Sequence, residues 1–502
     1  MAKNSVVKNS AFLYIRLILT LTVSLYTTRI VLSALGADDF GIYNVVTGVV
    51  TMFVFMKGAL SSSSARFFAY ELGKGKEEKL GALFKTSFTI HLLLGVILVV
   101  VLEVLGVWLI NKKLNIPNNR LFATQCIFHA SVFGTLFSII QVPMISLIVA
   151  HERMKVYAYI GLFEALAKLL IATALTYSTV DKLILYGLSV NAVYIFTILI
   201  YSSYCKINFK VFKIKLYLDI NYLKEMGAYT GWSMLSHIAL VLRIQGVNLL
   251  LNVFFGPVVN AARGISFQIN SVLTMLHQNL STAITPQIIK NYSAGKGEGM
   301  LKLMYKGSKY SFLLVFVIAA PILLDTEFVL NIWLVDVPEY TIIFTRLIIV
   351  NCLFESFVSP LASGVLATGR VKVFHNIVAF MLVLNLPITY LLFKLGGEPY
   401  LAFVTSIIIS VISLIVRLVL IKNELPFFSI MKCIKSVILA SLLVSLVSLP
   451  TLIILQNIMS LGLLRFAALV LTSFTVTGSL SWFIIIDKED KLLVVKKIKS
   501  LL

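Results

Sequence analysis

Six cations interrupt segments of this sequence that otherwise read as membrane-spanning. Arg16 and Arg29 bound the run RLILTLTVSLYTTR, and Lys57, Arg243, Arg263 and Arg346 follow in later apolar runs. A cation at the centre of a span costs roughly 2.5–3.5 kcal/mol on insertion scales, so such residues usually face an interior or a water-filled cavity. Arg16 and Arg29 each lie about 9 Å from an end of the first span at about 1.5 Å per residue, within reach of the membrane surface by snorkelling. Arg29, Lys57, Arg243 and Arg263 are expected to share a cationic lumen, with Arg16 and Arg346 as further lumen cations. For each residue taken singly, the rival is an ion pair or a surface contact. The guest that suits such a lumen is a pyrophosphate, because guanidinium forks bind phosphate oxygens in pairs and a low-dielectric wall strengthens the attraction.

Carboxylates are scarcer. Glu164 and Lys168 stand one helical turn apart and are expected to neutralise each other. The rival role is ion coupling, with Glu164, Glu355 and Glu103 as the groups that would carry a proton or sodium ion. His91, His129, His237 and His277 read as packing residues. Cys126, Cys205, Cys352 and Cys433 have no metal or disulfide spacing. No metal site, cofactor or catalytic residue is expected: the GKGKEEKLGALFKTS stretch misplaces the glycines and lysines of a P-loop, and neither H-E-x-x-H nor G-x-S-x-G occurs.

The elements that must position these residues follow from composition. Of 502 residues, 59% are hydrophobic and only 13% charged, which is the composition of an integral membrane protein. The net charge of +21 sits in short loops between spans, so it gives no folded basic surface for nucleic acid. Fourteen apolar runs approach the roughly 20 residues a bilayer requires. They cover residues 10–35, 41–68, 82–110, 121–150, 156–178, 183–204, 224–254, 258–289, 303–324, 340–368, 373–394, 400–421, 431–455 and 461–486. With the N-terminus inside, most loop cations fall on the cytoplasmic side and acids such as Asp39, Asp325 and Glu339 outside, which predicts cytoplasmic termini. The first span lacks a cleavage site and is expected to be retained.

An internal repeat organises the runs. LGKGKEEKL at Leu72 matches AGKGEGML at Ala294, and PMISLIVAHERMKV from Pro143 matches PLASGVLATGRVKV from Pro360. Six spans separate the copies, so the halves are parallel, related by an axis along the membrane normal. The expected fold is all-α: six-helix lobes at residues 1–208 and 209–425, plus two helices and a basic tail at 426–502. Pro143, Pro286, Pro360 and Pro387 fall inside spans and are expected to kink them. Ser61–Ser64, Ser281 and Thr282 read as close-packing positions or sugar contacts.

The stretch RIVLSALGADDFGIYNVVTGVV, with an LG-x-x-x-FG-x-Y turn made by Leu35, Gly36, Phe40, Gly41 and Tyr43, and the basic FFAYELGKGKEEKL after it resemble the Wzx-type polysaccharide-export flippases of the multidrug/oligosaccharidyl-lipid/polysaccharide (MOP) superfamily. The resemblance implies a non-enzymatic flippase in the cytoplasmic membrane. It implies alternating-access movement of undecaprenyl-pyrophosphate-linked oligosaccharide units for O-antigen or capsule synthesis. Membrane lipid, a polysaccharide polymerase and chain-length machinery would be partners, and the chain would act as a monomer. The alternatives are a drug or metabolite exporter of the same superfamily, a lipid II type flippase, and a membrane polymerase or ligase. The arginines oppose the first of these, and outer loops of about 15 residues or fewer oppose the last.

Overall fold

The computed structural model describes residues 2–52, 55–73, 77–151, 153–368, 372–486 and 491, with the backbone alone at 2–18, 225–237 and scattered other positions. It is built from helices, as the bilayer demands of a chain whose backbone polar groups must be satisfied internally. Contacts divide it into two compact units, Met1–Gly264 with Leu334–Glu339, and Ile265–Trp333 with Tyr340–Leu502.

The first unit holds α1 (Ala2–Thr51), α2 (Phe55–Gly73), α3 (Glu77–Lys112), α4 (Leu121–Ile140), α5 (Val142–Ala150), α6 (Met154–Thr176), α7 (Lys182–Asn208), α8 (Ile220–Phe255) and the opening turns of α9 (Pro257–Ser293). Its core joins Ile42, Val46, Leu102 and Phe128 in one cluster and Phe68, Phe84 and Leu147 in another. The second unit holds the rest of α9, then α10 (Gly297–Leu324), α11 (Thr326–Trp333), α12 (Thr341–Ser356), α13 (Val358–Thr368), α14 (Lys372–Val383), α15 (Asn385–Lys394), α16 (Leu401–Glu424) and α17 (Ile430–Cys433). A wide π turn (Ile434–Leu439) leads into α18 (Ala440–Ile458), and α19 (Leu463–Ile484) closes the unit. Phe312, Phe357, Leu418 and Phe428 centre its core.

Eleven spans among the described residues are long and apolar enough to cross a membrane. Ten of them coincide with the runs read from 82–110 to 204 and from 303 to 486. The eleventh, Leu19–Thr51, joins the first expected run to the start of the second. Within it the turn expected around Gly36 is one break in a helix, where Gly36 takes φ 76° and ψ 173°. Only glycine adopts that geometry without cost. The remaining expected runs are also helical, as α2, α8 and α9. Faces carrying Ile97, Val100, Phe122, Leu170, Leu446 and Phe483 stay exposed, as lipid contact requires.

Proline breaks the spans where the repeat places it. The α4–α5 span is interrupted at Gln141, two residues before Pro143, and the α12–α13 span at Phe357, three before Pro360. A proline lacks the amide that would continue the ladder, so the helix restarts. Pro387 stands in the same relation to the break before α15. The Pro286 side chain lies outside the described residues.

Candidate functional site

The expected lumen cations Arg29 (α1), Lys57 (α2), Arg243 (α8) and Arg263 (α9) all belong to the first unit. A seam of glycine and amide side chains brings α1, α8 and α9 together. A Cβ on Gly41 would sit 1.8 Å from the Pro257 carbonyl oxygen, and one on Gly264 would sit 2.8 Å from Asn44 Oδ1, so α1 meets the start of α9 backbone to side chain. This close approach explains Gly41 in the LG-x-x-x-FG-x-Y pattern. Along the same seam Asn248 donates to the Asn44 carbonyl at 3.4 Å and Gln245 donates to Thr51 Oγ1 at 3.0 Å. Asn260 then donates to the Asn248 carbonyl and Oδ1 at 2.8 and 2.9 Å, which locks the α8–α9 connection. Buried amides that bond one another fix register, since an unpaired one costs about 1–3 kcal/mol.

On this frame Arg263 is buried, 5% exposed, and its Nη2 donates to the Ile244 carbonyl at 2.6 Å. Ile244 follows Arg243, so the structure brings these two cations to one level of the α8–α9 pair. Arg29 is half-buried on α1. Lys57 is half-buried on α2 and interacts electrostatically with Glu164 and Lys168 of α6. Arg346 is exposed in the second unit, its Nε 3.4 Å from Thr326 Oγ1. The Arg16 side chain lies outside the described residues, as does that of His237.

The Glu164–Lys168 pair is present, with Nζ to Oε1 at 2.7 Å. Sequence reading missed its aromatic setting. Lys168 Nζ lies 5.2 Å above the Tyr194 ring, and Tyr43 and Tyr186 pack beside it with ring centroids 4.8 Å apart. A cation over a tyrosine face gains about 0.5–2 kcal/mol. The other two candidate coupling carboxylates have partners within their own units. Glu103 on α3 meets His129 Nδ1 at 2.8 Å, and Glu355 on α12 accepts from Ser410 at 3.4 Å with His277 in electrostatic range. Among the described residues no group of three or more His, Cys, Asp or Glu is arranged to hold a metal ion. The serines behave mainly as packing residues: Ser64 bonds Ser87 at 3.0 Å, Ser281 accepts from Ser359 at 2.8 Å, and Thr282 donates to the Gln278 carbonyl.

Other arginines are occupied by acids. Arg120 reaches Asp39 through Nε at 2.7 Å and Asp181 through Nη1 at 2.6 Å, tying α1 to the starts of α4 and α7. Asp181 also caps α7 by accepting from the Ile184 amide at 3.1 Å. Burial raises the Asp181 carboxyl, but these bonds outweigh it and hold the group below the usual carboxylate range. In the second unit Arg465 forks onto Asp325 at 2.7 and 2.9 Å, and Gln456 adds a third bond at 3.1 Å.

The architecture has solved counterparts. The lipid II flippase MurJ, in an inward closed conformation, superposes with a TM-score of 0.69 at 16% identity, over 95% of this chain and 98% of that one. An inward-facing multidrug resistance MATE family transporter of the MOP superfamily gives 0.68 at 11% identity, over 83% and 99%. A MOP superfamily transporter from Pyrococcus furiosus, described by the reversed polarity of its binding pocket, gives 0.57 at 14% identity, over 84% and 96%. In sequence, the uncharacterized membrane protein EpsK of Bacillus subtilis (strain 168) is 22% identical over 307 residues, a match that spans 60% of each chain. No family model matches. With eleven apolar spans among its described residues, the chain is a multi-pass membrane protein that shares the fold of MOP superfamily transporters.

Proposed function

We propose that the protein is a flippase for undecaprenyl-pyrophosphate-linked oligosaccharide units, working by alternating access, and that Arg29, Lys57, Arg243 and Arg263 contact the diphosphate. The observation that carries this reading is the placement of these four cations in one unit, with Arg263 donating to the carbonyl of the residue that follows Arg243. A diphosphate brings oxygens enough for several charge-assisted bonds, each contributing about 1.5–3 kcal/mol where water is excluded. The oligosaccharide would follow the headgroup, and the polyprenyl tail would remain in lipid. The likeness to MurJ supports a lipid-linked substrate. The Glu164–Lys168 pair beside Lys57 is the best placed of the three carboxylates to couple an ion to this step, because its charge is felt at the cation wall.

The MATE likeness favours a second reading, export of a drug or metabolite. Cationic drugs would be repelled by four cations in one unit, so the charge sign separates the two. The test is transport in proteoliposomes loaded with a pyrophosphate-linked saccharide lipid. Wild-type protein should expose the saccharide on the opposite leaflet, and Arg29→Ala and Arg243→Ala should slow that exposure about 10- to 100-fold. Arg→Lys at either site should keep partial activity. Undiminished transport by both alanine variants would remove these sites, and transport of a cationic dye instead would replace the reading by the second.

A further inference from the structure

The second unit contains a cation cluster that the proposed transport path does not use. A cavity of about 850 Å³ opens between α10, the α9–α10 loop and the start of the terminal helix pair. Lys302, Lys306 and Lys309 line one side from α10, at spacings of four and three that place them on a single helix face. Lys432 of α17 faces the same space, and Glu298 is the one carboxylate among the described residues of the lining. Hydroxyls of Tyr305, Ser429 and Ser436 complete the polar wall.

The wall is fixed from behind. Tyr305 donates to the Ser429 carbonyl at 3.3 Å, Ser429 caps α17 by accepting from the Lys432 amide at 3.2 Å, and Ser436 in the π turn donates to the Lys432 carbonyl at 2.6 Å. Lys309 is 8% exposed, and its ammonium is oriented by the Ile485 carbonyl at 3.3 Å. A retention signal for loop charge needs lysines only at the membrane surface. It does not need one sunk under a backbone carbonyl with hydroxyls around it. The wide π turn that holds Ser436 is a device common at functional sites.

We propose that this cavity is a phosphate-binding site whose lysines and hydroxyls take the phosphate of an anionic lipid headgroup or of a soluble phosphate compound. Basic pockets between membrane helices suit such headgroups, and ammonium donors accept phosphate as point charges. An occupied site would bridge α10 to the α17–π turn and so fasten the terminal helix pair to the rest of its unit. The site rests on this cavity and not on the substrate proposed above.

Full-length protein in nanodiscs of phosphatidylcholine alone, of phosphatidylcholine with phosphatidylglycerol, and of phosphatidylcholine with added inorganic pyrophosphate tests the site through thermal stability and counted bound lipid. Phosphatidylglycerol should raise Tm and co-purify with wild-type protein, and Lys306→Gln/Lys432→Gln should weaken that binding at least tenfold. The exposed single change Lys432→Gln, which spares the fold, should weaken it less, and Lys206→Gln in α7 should not alter it. Stabilisation by pyrophosphate alone, lost in the double variant, would assign the phosphate to a soluble compound. If neither anion binds, or the double variant binds both as wild type does, the site is refuted.

Discussion

Arg120 and Arg263 belong to the same unit and use the same fork of donors differently. Arg120, at the end of the first unit where α1, α4 and α7 meet, is clasped by Asp39 and Asp181. Arg263, buried at the α8–α9 pair, is oriented by a backbone carbonyl, which contributes direction and no charge. Arg465 repeats the Arg120 arrangement in the second unit, gripping an Asp325 whose side chain is 1% exposed. The difference teaches that one side chain serves two ends, an ion-paired staple in Arg120 and Arg465 and a helix-to-backbone tie in Arg263. Arg120 and Arg465 are held by acids that pin helix ends together, whereas the bond from Arg263 links α9 to the α8 backbone.

Four experiments break or sharpen that contrast. The largest effect on folding should come from Arg465→Ala, which strands the buried Asp325 carboxylate: a loss of about 3–5 kcal/mol, read as a drop in Tm, with transport per folded molecule unchanged. Arg243→Ala should do the reverse, with Tm held near wild type and the transport rate cut by about 1.5–3 kcal/mol of lost binding. Gly41→Leu should cost about 1–3 kcal/mol by forcing α1 off the Pro257 backbone, and should lower Tm and transport together, because the seam positions the cations. The smallest effect belongs to Asp181→Asn on the exposed side of the Arg120 clasp, no more than about 1 kcal/mol. Its signature is in pH. The Asp181 carboxyl is depressed on folding, so its contribution is present above the ordinary value of 3.8 and lost as pH falls through the lower folded value. In thermal scans between pH 6 and pH 3 the Asn variant should lose that part of the acid slope.

The spans were legible because hydropathy and length decide them, and the helix breaks at Pro143 and Pro360 were legible because a missing amide acts locally. The Glu164–Lys168 pair was legible for the same reason, since one helical turn separates its members. The role of Gly41 was not. Its pattern reads as a turn, yet the constraint is the Pro257 backbone more than 200 residues away. The amide seam left a periodic trace, with Gln245, Asn248 and Asn252 on one face of α8 and Asn44, Gly48 and Thr51 on one face of α1, but spacing alone does not say which helix lies opposite. The repeat sets a boundary at residue 208, whereas contacts group α8 and the opening of α9 with the helices before them. Long-range packing made that grouping, and no local pattern encodes it. The lysine cavity was hidden for a further reason: loop lysines already satisfy the charge asymmetry of a membrane protein, and only coordinates separate the buried Lys309 from its exposed neighbours.

The central claim is that the first unit's cations grip a diphosphate. Equilibrium binding of undecaprenyl pyrophosphate to purified protein, wild type against Arg243→Ala and Arg29→Ala, tests it most directly. The account predicts an affinity at least tenfold weaker in each variant, with undecaprenol lacking phosphate bound weakly and equally by all three; equal pyrophosphate affinities across the three proteins would contradict it.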